Sequence, residues 1–199
     1  QTILIEPFAR NTAAAVCAAA VALDAKYGDS LMLVSPSDHV ITDLERFRAT
    51  VEAAIPTAND GQIVTFGIRP DRAETGYGWL ELPSKLSDDF PEVVQPLSSF
   101  VEKPAAEAAD ALLRGGMHLW NAGIFLFSTS NILASFEQHA PQTLTEVRKA
   151  FGSAEADLGF TRLGAEPWAR LKDISIDYAV MEHAPNLSVM PYGGYWSDL

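Results

Sequence analysis

Short apolar runs alternate with stretches of helical spacing along most of this chain. Ile3-Leu4-Ile5 reads as a strand, and Asn11 or Thr12 then caps an alanine-rich helix that ends near Gly28. Leu31-Met32-Leu33-Val34 is an uninterrupted apolar run of the kind buried in parallel sheets. Phe47, Val51, Ala54 and Ile55 fall at helical spacing in a segment from Leu44 to about Ala58, which stops before Gly61. The run from Ile63 to Ile68 predicts the next strand. This alternation of strand and helix predicts an α/β protein with a mixed, mainly parallel sheet and helices on both faces.

The pattern changes between Thr75 and Glu102. Gly78 to Leu82 and Ser98 to Val101 read as strands joined by a connection rich in Pro, Ser and Asp, which predicts an antiparallel excursion. A helix from Ala105 to Leu113 is closed by Gly115-Gly116. Ile124 to Phe127 is again a buried strand, with Ser130 as cap of a helix from Asn131 to Ala140. A second helix runs from Thr143 to about Phe151, the pair being interrupted by Pro141 and ended by Gly152. Leu187 to Met190 forms the last strand and leads into Tyr195-Trp196. No repeat, low-complexity tract or linker intervenes, so residues 1–199 are expected to form one domain.

Composition narrows the function. A chain of 199 residues, 48% hydrophobic and 20% charged, buries a sizeable core. No apolar run is long enough to span a bilayer and no secretory leader opens the sequence, which predicts a cytoplasmic protein without a membrane partner. The single cysteine, Cys17, lies among alanines and reads as a small buried hydrophobe. The net charge of −12 argues against nucleic acid, whose binding draws on a basic face. A small anion needs only local complementarity, which Arg10, Lys103 and a bound Mg²⁺ would supply.

Candidate chemistry lies in polar or glycine-rich knots between the apolar runs. Asp38, in Ser35-Pro36-Ser37-Asp38-His39, follows an apolar strand, and Asp198 follows an aromatic in Trp196-Ser197-Asp198. Carboxylates at strand ends of an α/β protein suit a hard cation; a turn cap and a solvated terminal acid are the plainer readings. His39 has no second histidine at metal-ligand spacing, which argues against zinc. Arg10, Asn11 and Thr12 stand at a strand-to-helix junction, where exposed N–H groups favour anions or a purine edge. Gly76 and Gly78 flank Tyr77 and permit close backbone approach, or form a plain turn. Glu102-Lys103 precedes a proline and reads either as a surface ion pair or as ligand-binding charges. Asn121, between Trp120 and Gly123, offers a donor and an acceptor, or is a plain turn residue. Asp177 begins an Ile-Asp-Tyr helix, as its cap or in support of a site.

The ordered set of Glu6-Pro7-Phe8-Ala9-Arg10-Asn11-Thr12, Ser35 to His39, Glu74 to Gly78, Glu102-Lys103-Pro104, Trp120 to Phe125, Ser175 to Glu182 and Trp196 to Asp198 resembles the bacterial mannose-1-phosphate guanylyltransferases over essentially the whole chain. The resemblance implies a three-layer Rossmann-like nucleotidyltransferase fold and synthesis of GDP-mannose from GTP and mannose 1-phosphate. It implies Asp38 and Asp198 as Mg²⁺ ligands, Lys103 on the sugar phosphate and Glu102 on the sugar. Asn121, Gly76, Tyr77 and Gly78 join the substrate site with Asp177, while Glu6, Arg10, Asn11 and Thr12 line the nucleotide pocket. Ala14 stands where the family has a proline. The family's Gly-Gly-x-Gly-Thr-Arg loop is absent and the family continues past Leu199. The chain is therefore expected to be an N-terminally truncated, internal fragment that does not itself make GDP-mannose. Another hexose-1-phosphate nucleotidylyltransferase and a non-catalytic binding fragment remain as alternatives, and a homodimer is allowed.

Overall fold

A computed structural model describes residues 2–87, 89 and 91–198. The first half of the chain forms β1 (Ile3–Ile5), α1 (Asn11–Tyr27), β2 (Leu31–Val34), β3 (His39–Ile41), α2 (Leu44–Asn59) and β4 (Ile63–Ile68). Next come β5 (Trp79–Glu81), β6 (Gln95–Pro96), β7 (Ser99–Val101), α3 (Ala106–Gly115) and β8 (His118–Ser128). The remainder forms α4 (Thr129–His139), α5 (Pro141–Gly152), β9 (Glu155–Asp157), β10 (Phe160–Arg162), α6 (Ala165–Ala169), a π-helical turn (Asp177–Met181), β11 (Leu187–Tyr192) and β12 (Trp196–Asp198). Two compact units result: residues 1–30 with 128–184, and residues 31–127 with 185–199.

The second unit is built on a seven-stranded sheet in which β6, β11, β4, β8, β5 and β7 lie in that order and β2 also pairs with β8. The strand–helix alternation correctly implies an α/β fold, but parallel pairing is a smaller part of this sheet than it suggests. β11 runs parallel to β4, whereas β8 is antiparallel to both β4 and β5, and β7 is antiparallel to β5. The reason is the excursion through β5–β7 and α3, which returns the chain as one long strand wedged between β4 and β5. Val64, Phe66, Ala122, Ile124, Leu126 and Met190 form an apolar face on which α2 packs through Ala54 and Ala58. Trp79 and Trp120 extend that face beneath Ala109, Leu112 and Leu113 of α3. A separate two-stranded ladder pairs β3 with β12, placing Asp198 opposite His39 and Trp196 opposite Ile41.

In the first unit, α1 packs on α4 and α5, and β1, β10 and β9 form a small sheet. The alanines make close helix packing feasible: Ala13, Ala14, Ala18 and Ala20 are at most 2% exposed and Cys17 is fully buried. Helix ends differ from the sequence expectation at α4 and α5, as they do at the start of α1. Ser128, and not Ser130, caps α4 by accepting from the Asn131 N–H at 3.2 Å. Pro141 begins α5 rather than separating two helices, because its missing N–H costs nothing at the first helical position. Among the described residues, no helix is long and apolar enough to cross a membrane.

Candidate functional site

The second unit gathers most of the expected site residues at the end of β4. A bulge sets the geometry: Thr65 pairs with Phe125 and Gly67 with Asn121, so β8 carries extra residues around Gly123, whose φ is 66°. Asn121 therefore lies within the strand and is not the turn residue that its neighbours suggest. Its Oδ1 accepts from the Thr65 hydroxyl at 2.8 Å and from the Gly123 N–H at 3.1 Å, and its backbone N–H donates to Gly78 O at 2.8 Å. The buried Thr65 thus fixes the amide's orientation. That support was invisible in the sequence, where Thr65 is one more β-branched residue in an apolar run.

Gly78 has a steric reason to be glycine. A methyl group there would sit 2.6 Å from Glu102 Oε2, 3.1 Å from the Phe100 ring and 3.3 Å from Asn121 Cβ. The Glu102 carboxylate, with a side chain only 5% exposed, lies directly over the Gly78 backbone. Lys103 Nζ is 3.4 Å from Glu102 Oε1, and Lys103 itself has φ 45°. A non-glycine residue in the left-handed region stores strain, and such residues concentrate where positioning is functional. Gly76 has no comparable constraint; its N–H donates to Glu74 Oε1 at 2.9 Å.

Glu74 organises the preceding loop. It accepts from Gly76 N–H and from Arg72 Nε at 3.1 Å, and its backbone oxygen accepts from Trp79 Nε1 at 2.9 Å. The Gly76 N–H holds the Glu74 carboxyl below its ordinary value of 4.5, with Arg72 acting in the same direction against burial. The Arg72 guanidinium lies 4.7 Å from the centre of the Trp120 ring. Tyr77 stands edge-on to both Trp120 (5.4 Å) and Trp196 (5.5 Å). Burial raises the Tyr77 phenol above its usual value, and the Asp198 carboxylate pushes it further the same way.

Through Trp196 this aromatic chain reaches the two candidate cation ligands. Asp38 lies in the bend between β2 and β3, and Asp198 ends β12. One ligand atom from each of Asp38, His39 and Asp198 lies within 4.8 Å of the others. Two carboxylates so close, both exposed, carry a repulsion that a divalent cation relieves, and their oxygens fit a hard cation that retains several waters. His39 is mostly buried; its Nδ1 accepts from Trp196 Nε1 at 3.2 Å and its Nε2 lies 3.7 Å from Asp198 Oδ1. Nothing local marks Trp196 as a partner of His39, because the two meet only across the β3–β12 ladder.

The first unit holds the remaining candidates. Neither Asn11 nor Thr12 is a helix cap: Arg10 occupies the cap position of α1 and no side chain caps it. Asn11 adopts φ 61°, and its Oδ1 accepts from the Thr12 N–H at 2.9 Å. Thr12 Oγ1 accepts from the Ile176 N–H at 2.9 Å, tying the junction to the segment before the π-helical turn. Arg10 donates to Ala169 O at 3.1 Å, while its Nε is buried without a hydrogen-bond partner among the described residues. Burial raises the Glu6 carboxyl, which borders a groove of about 380 Å³ floored by Ala15, Ala18, Ala19 and Ala22 of α1. Asp177 opens the π-helical turn, its carbonyl accepting from Glu182 N–H at 2.9 Å. Single π turns are frequent at functional sites.

The nucleotidyl transferase family model matches residues 1–199, and the chain belongs to that family. More particularly, it is 43% identical over 200 residues to a mannose-1-phosphate guanylyltransferase of Sinorhizobium fredii, covering all of this chain and 38% of that protein. The chain thus spans well under half the length of the curated relatives it matches. Among solved structures it resembles a mannose-6-phosphate isomerase from Helicobacter pylori, with a TM-score of 0.87 and 31% identity, covering 99% of this chain and 74% of that one. It also resembles a protein described as mannose-1-phosphate geranyltransferase from Thermus thermophilus, with a TM-score of 0.82 and 32% identity over 98% of this chain and 53% of that one.

Proposed function

We propose that the protein carrying this chain transfers GMP from GTP to mannose 1-phosphate, with both compact units belonging to one nucleotidyltransferase domain. The observation that carries the reading is the approach of Asp38 and Asp198 to within 4.8 Å in the unit that also holds Glu102, Lys103 and Asn121. The family match and the guanylyltransferase relatives supply the reaction class. A phosphate oxygen of mannose 1-phosphate attacks the α-phosphorus of GTP, a new P–O bond forms, and the bond to the departing pyrophosphate breaks.

Asp38 and Asp198 would hold Mg²⁺, which when bound neutralises phosphate charge. Lys103 adds a second positive charge toward the sugar phosphate. Glu102 and Asn121 receive the sugar hydroxyls, with Gly78 leaving room for the carboxylate and Tyr77 backing the turn. Arg10, Asn11 and Thr12 are assigned to the nucleotide, with Glu6 and Asp177 in support. No nucleophilic side chain is required, since positioning and charge neutralisation suffice for this class of transfer.

The test is pyrophosphate release by the whole protein with GTP, mannose 1-phosphate and Mg²⁺, compared with other nucleotide and hexose-phosphate pairs. Lys103→Ala is expected to reduce turnover by roughly 10²–10³. Its melting temperature should hardly move, because the side chain is half exposed. A clear preference for another pair overturns the substrate assignment. Near-normal turnover in the variant would demote Lys103 to a surface cation.

A further inference from the structure

We propose that Trp196 locks His39 in the tautomer that carries its proton on Nε2, and so keeps the imidazole out of the ligand shell of a cation held by Asp38 and Asp198. The inference rests on the cation reading of those two carboxylates. An indole nitrogen only donates. Trp196 Nε1, 3.2 Å from His39 Nδ1, therefore requires a lone pair on Nδ1, and the proton of the neutral ring must lie on Nε2. That Nε2–H faces Asp198 Oδ1 at 3.7 Å.

The ring has little freedom to escape this arrangement. The His39 side chain is 8% exposed, and its ring meets the Trp196 ring edge-on at 5.2 Å and 86°. Histidines that ligate metals ordinarily donate their other N–H to a carboxylate or carbonyl. Here the other nitrogen meets a donor. Ligation through Nε2 would move the proton to Nδ1 and set two N–H groups against each other in a mostly buried place. Three groups that by proximity resemble a mixed nitrogen–oxygen site thus present only carboxylate oxygens to the cation. Imidazole ligation favours Zn²⁺, Ni²⁺ and Cu²⁺, whereas carboxylate and water suit Mg²⁺ and Mn²⁺. Trp196 is on this account a selectivity residue that acts through His39.

Nitrogen-15 NMR of the histidine-labelled chain tests the lock, with the His39 signals assigned by their loss in His39→Gln. The expected result is a neutral Nε2–H ring whose shifts survive one equivalent of Zn²⁺. In Trp196→Phe, which removes the N–H and keeps an aromatic ring beside Tyr77, Zn²⁺ should shift His39 Nε2. The ratio of Zn²⁺ to Mn²⁺ affinity should rise roughly tenfold or more, the span that partners of ligating histidines command. An Nδ1–H tautomer, or a metallated Nε2 in the wild-type chain, overturns the proposal even if Trp196→Phe does not fold. An unchanged affinity ratio in a folded Trp196→Phe also overturns it. Mn²⁺ binding, followed by electron paramagnetic resonance, should be lost in Asp38→Asn and in Asp198→Asn. Its retention in both would overturn the cation reading, a failure distinct from that of the tautomer, which the nitrogen shifts report by themselves.

Discussion

One methyl group at Gly78 tests how tightly the residues proposed to receive the sugar are set. Alanine there would press on Glu102 Oε2, Phe100 and Asn121 at once, and Phe100 is itself packed against the buried cluster of Leu80, Leu82, Leu119 and Val189. Gly78→Ala is expected to destabilise the chain by about 1–3 kcal/mol, as overpacking usually does, and to weaken mannose 1-phosphate binding by roughly tenfold or more. Gly76→Ala is the control. Its backbone φ is not in the left-handed region and its nearest neighbour is the flexible end of Glu74 at 3.3 Å, so melting temperature and affinity should hardly change. Equal behaviour of the two variants, by thermal melting and calorimetric titration, would show that Glu102 can move aside. In the sequence the two glycines of Gly76-Tyr77-Gly78 look equivalent; only the strand pairing that brings Glu102 over one of them tells them apart. The same holds for Thr65 and Trp196, whose partners Asn121 and His39 are distant in sequence and adjacent only after the sheet forms.

Elements were legible where their signal is local. The apolar runs of β2 and β4, the helices α1 to α3 and the glycine stop after α3 follow directly from periodicity and chain-terminating residues. Three-residue strands such as β3, β9 and β12 carry too few positions for a period to show, and β8 begins six residues before its apolar run because Asn121 and Gly123 mask it. The loop from Arg72 to Gly78 is likewise an element that sequence shows only as polar, yet Glu74 binds it together. With its folded value depressed below 4.5, Glu74 contributes stability that is present above that pH and is lost as pH falls through the folded value. Acidification below about 4.5 should release the Gly76 amide, seen as faster hydrogen exchange there. A Gly76 amide indifferent to pH in that window would remove Glu74 as the loop's organiser. Helix α1 makes a second prediction. Cys17 is fully buried, and burial pushes its thiol up to about 12, with Arg148 pulling weakly the other way. A disulfide reagent at pH 8 should therefore leave it untouched in the folded chain and label it at the rate at which α1 opens. Because the folded thiol stays neutral while an unfolded one ionises above about 8.5, its contribution to stability is intact below that pH and declines from there toward 12. Rapid labelling under native conditions would mean that α1 is not held as packed.

At the scale of the whole molecule the charge balance is the constraint that remains. The chain carries 14 basic and 26 acidic residues, a net charge of −12, and both proposed substrates are themselves anions. The general field therefore opposes binding, and affinity has to come from local positive charge within a low-dielectric site. Lys103 supplies one such charge but shares it with Glu102 at 3.4 Å, and Asp38 and Asp198 add two negative charges in the same unit. Without a cation the balance at this end of the sheet is unfavourable to phosphate. With one, the two acids become the means of holding positive charge where a phosphate needs it. Chelation of divalent metal is thus expected to weaken GDP-mannose binding by roughly tenfold or more, about 1.4 kcal/mol or above. Added Mn²⁺ should restore it in the wild-type chain and fail to do so in Asp198→Asn. Calorimetric titration with and without EDTA measures both. Affinity that is indifferent to chelation would show that protein cations alone overcome the acidic field, and would leave the carboxylate pair without its role.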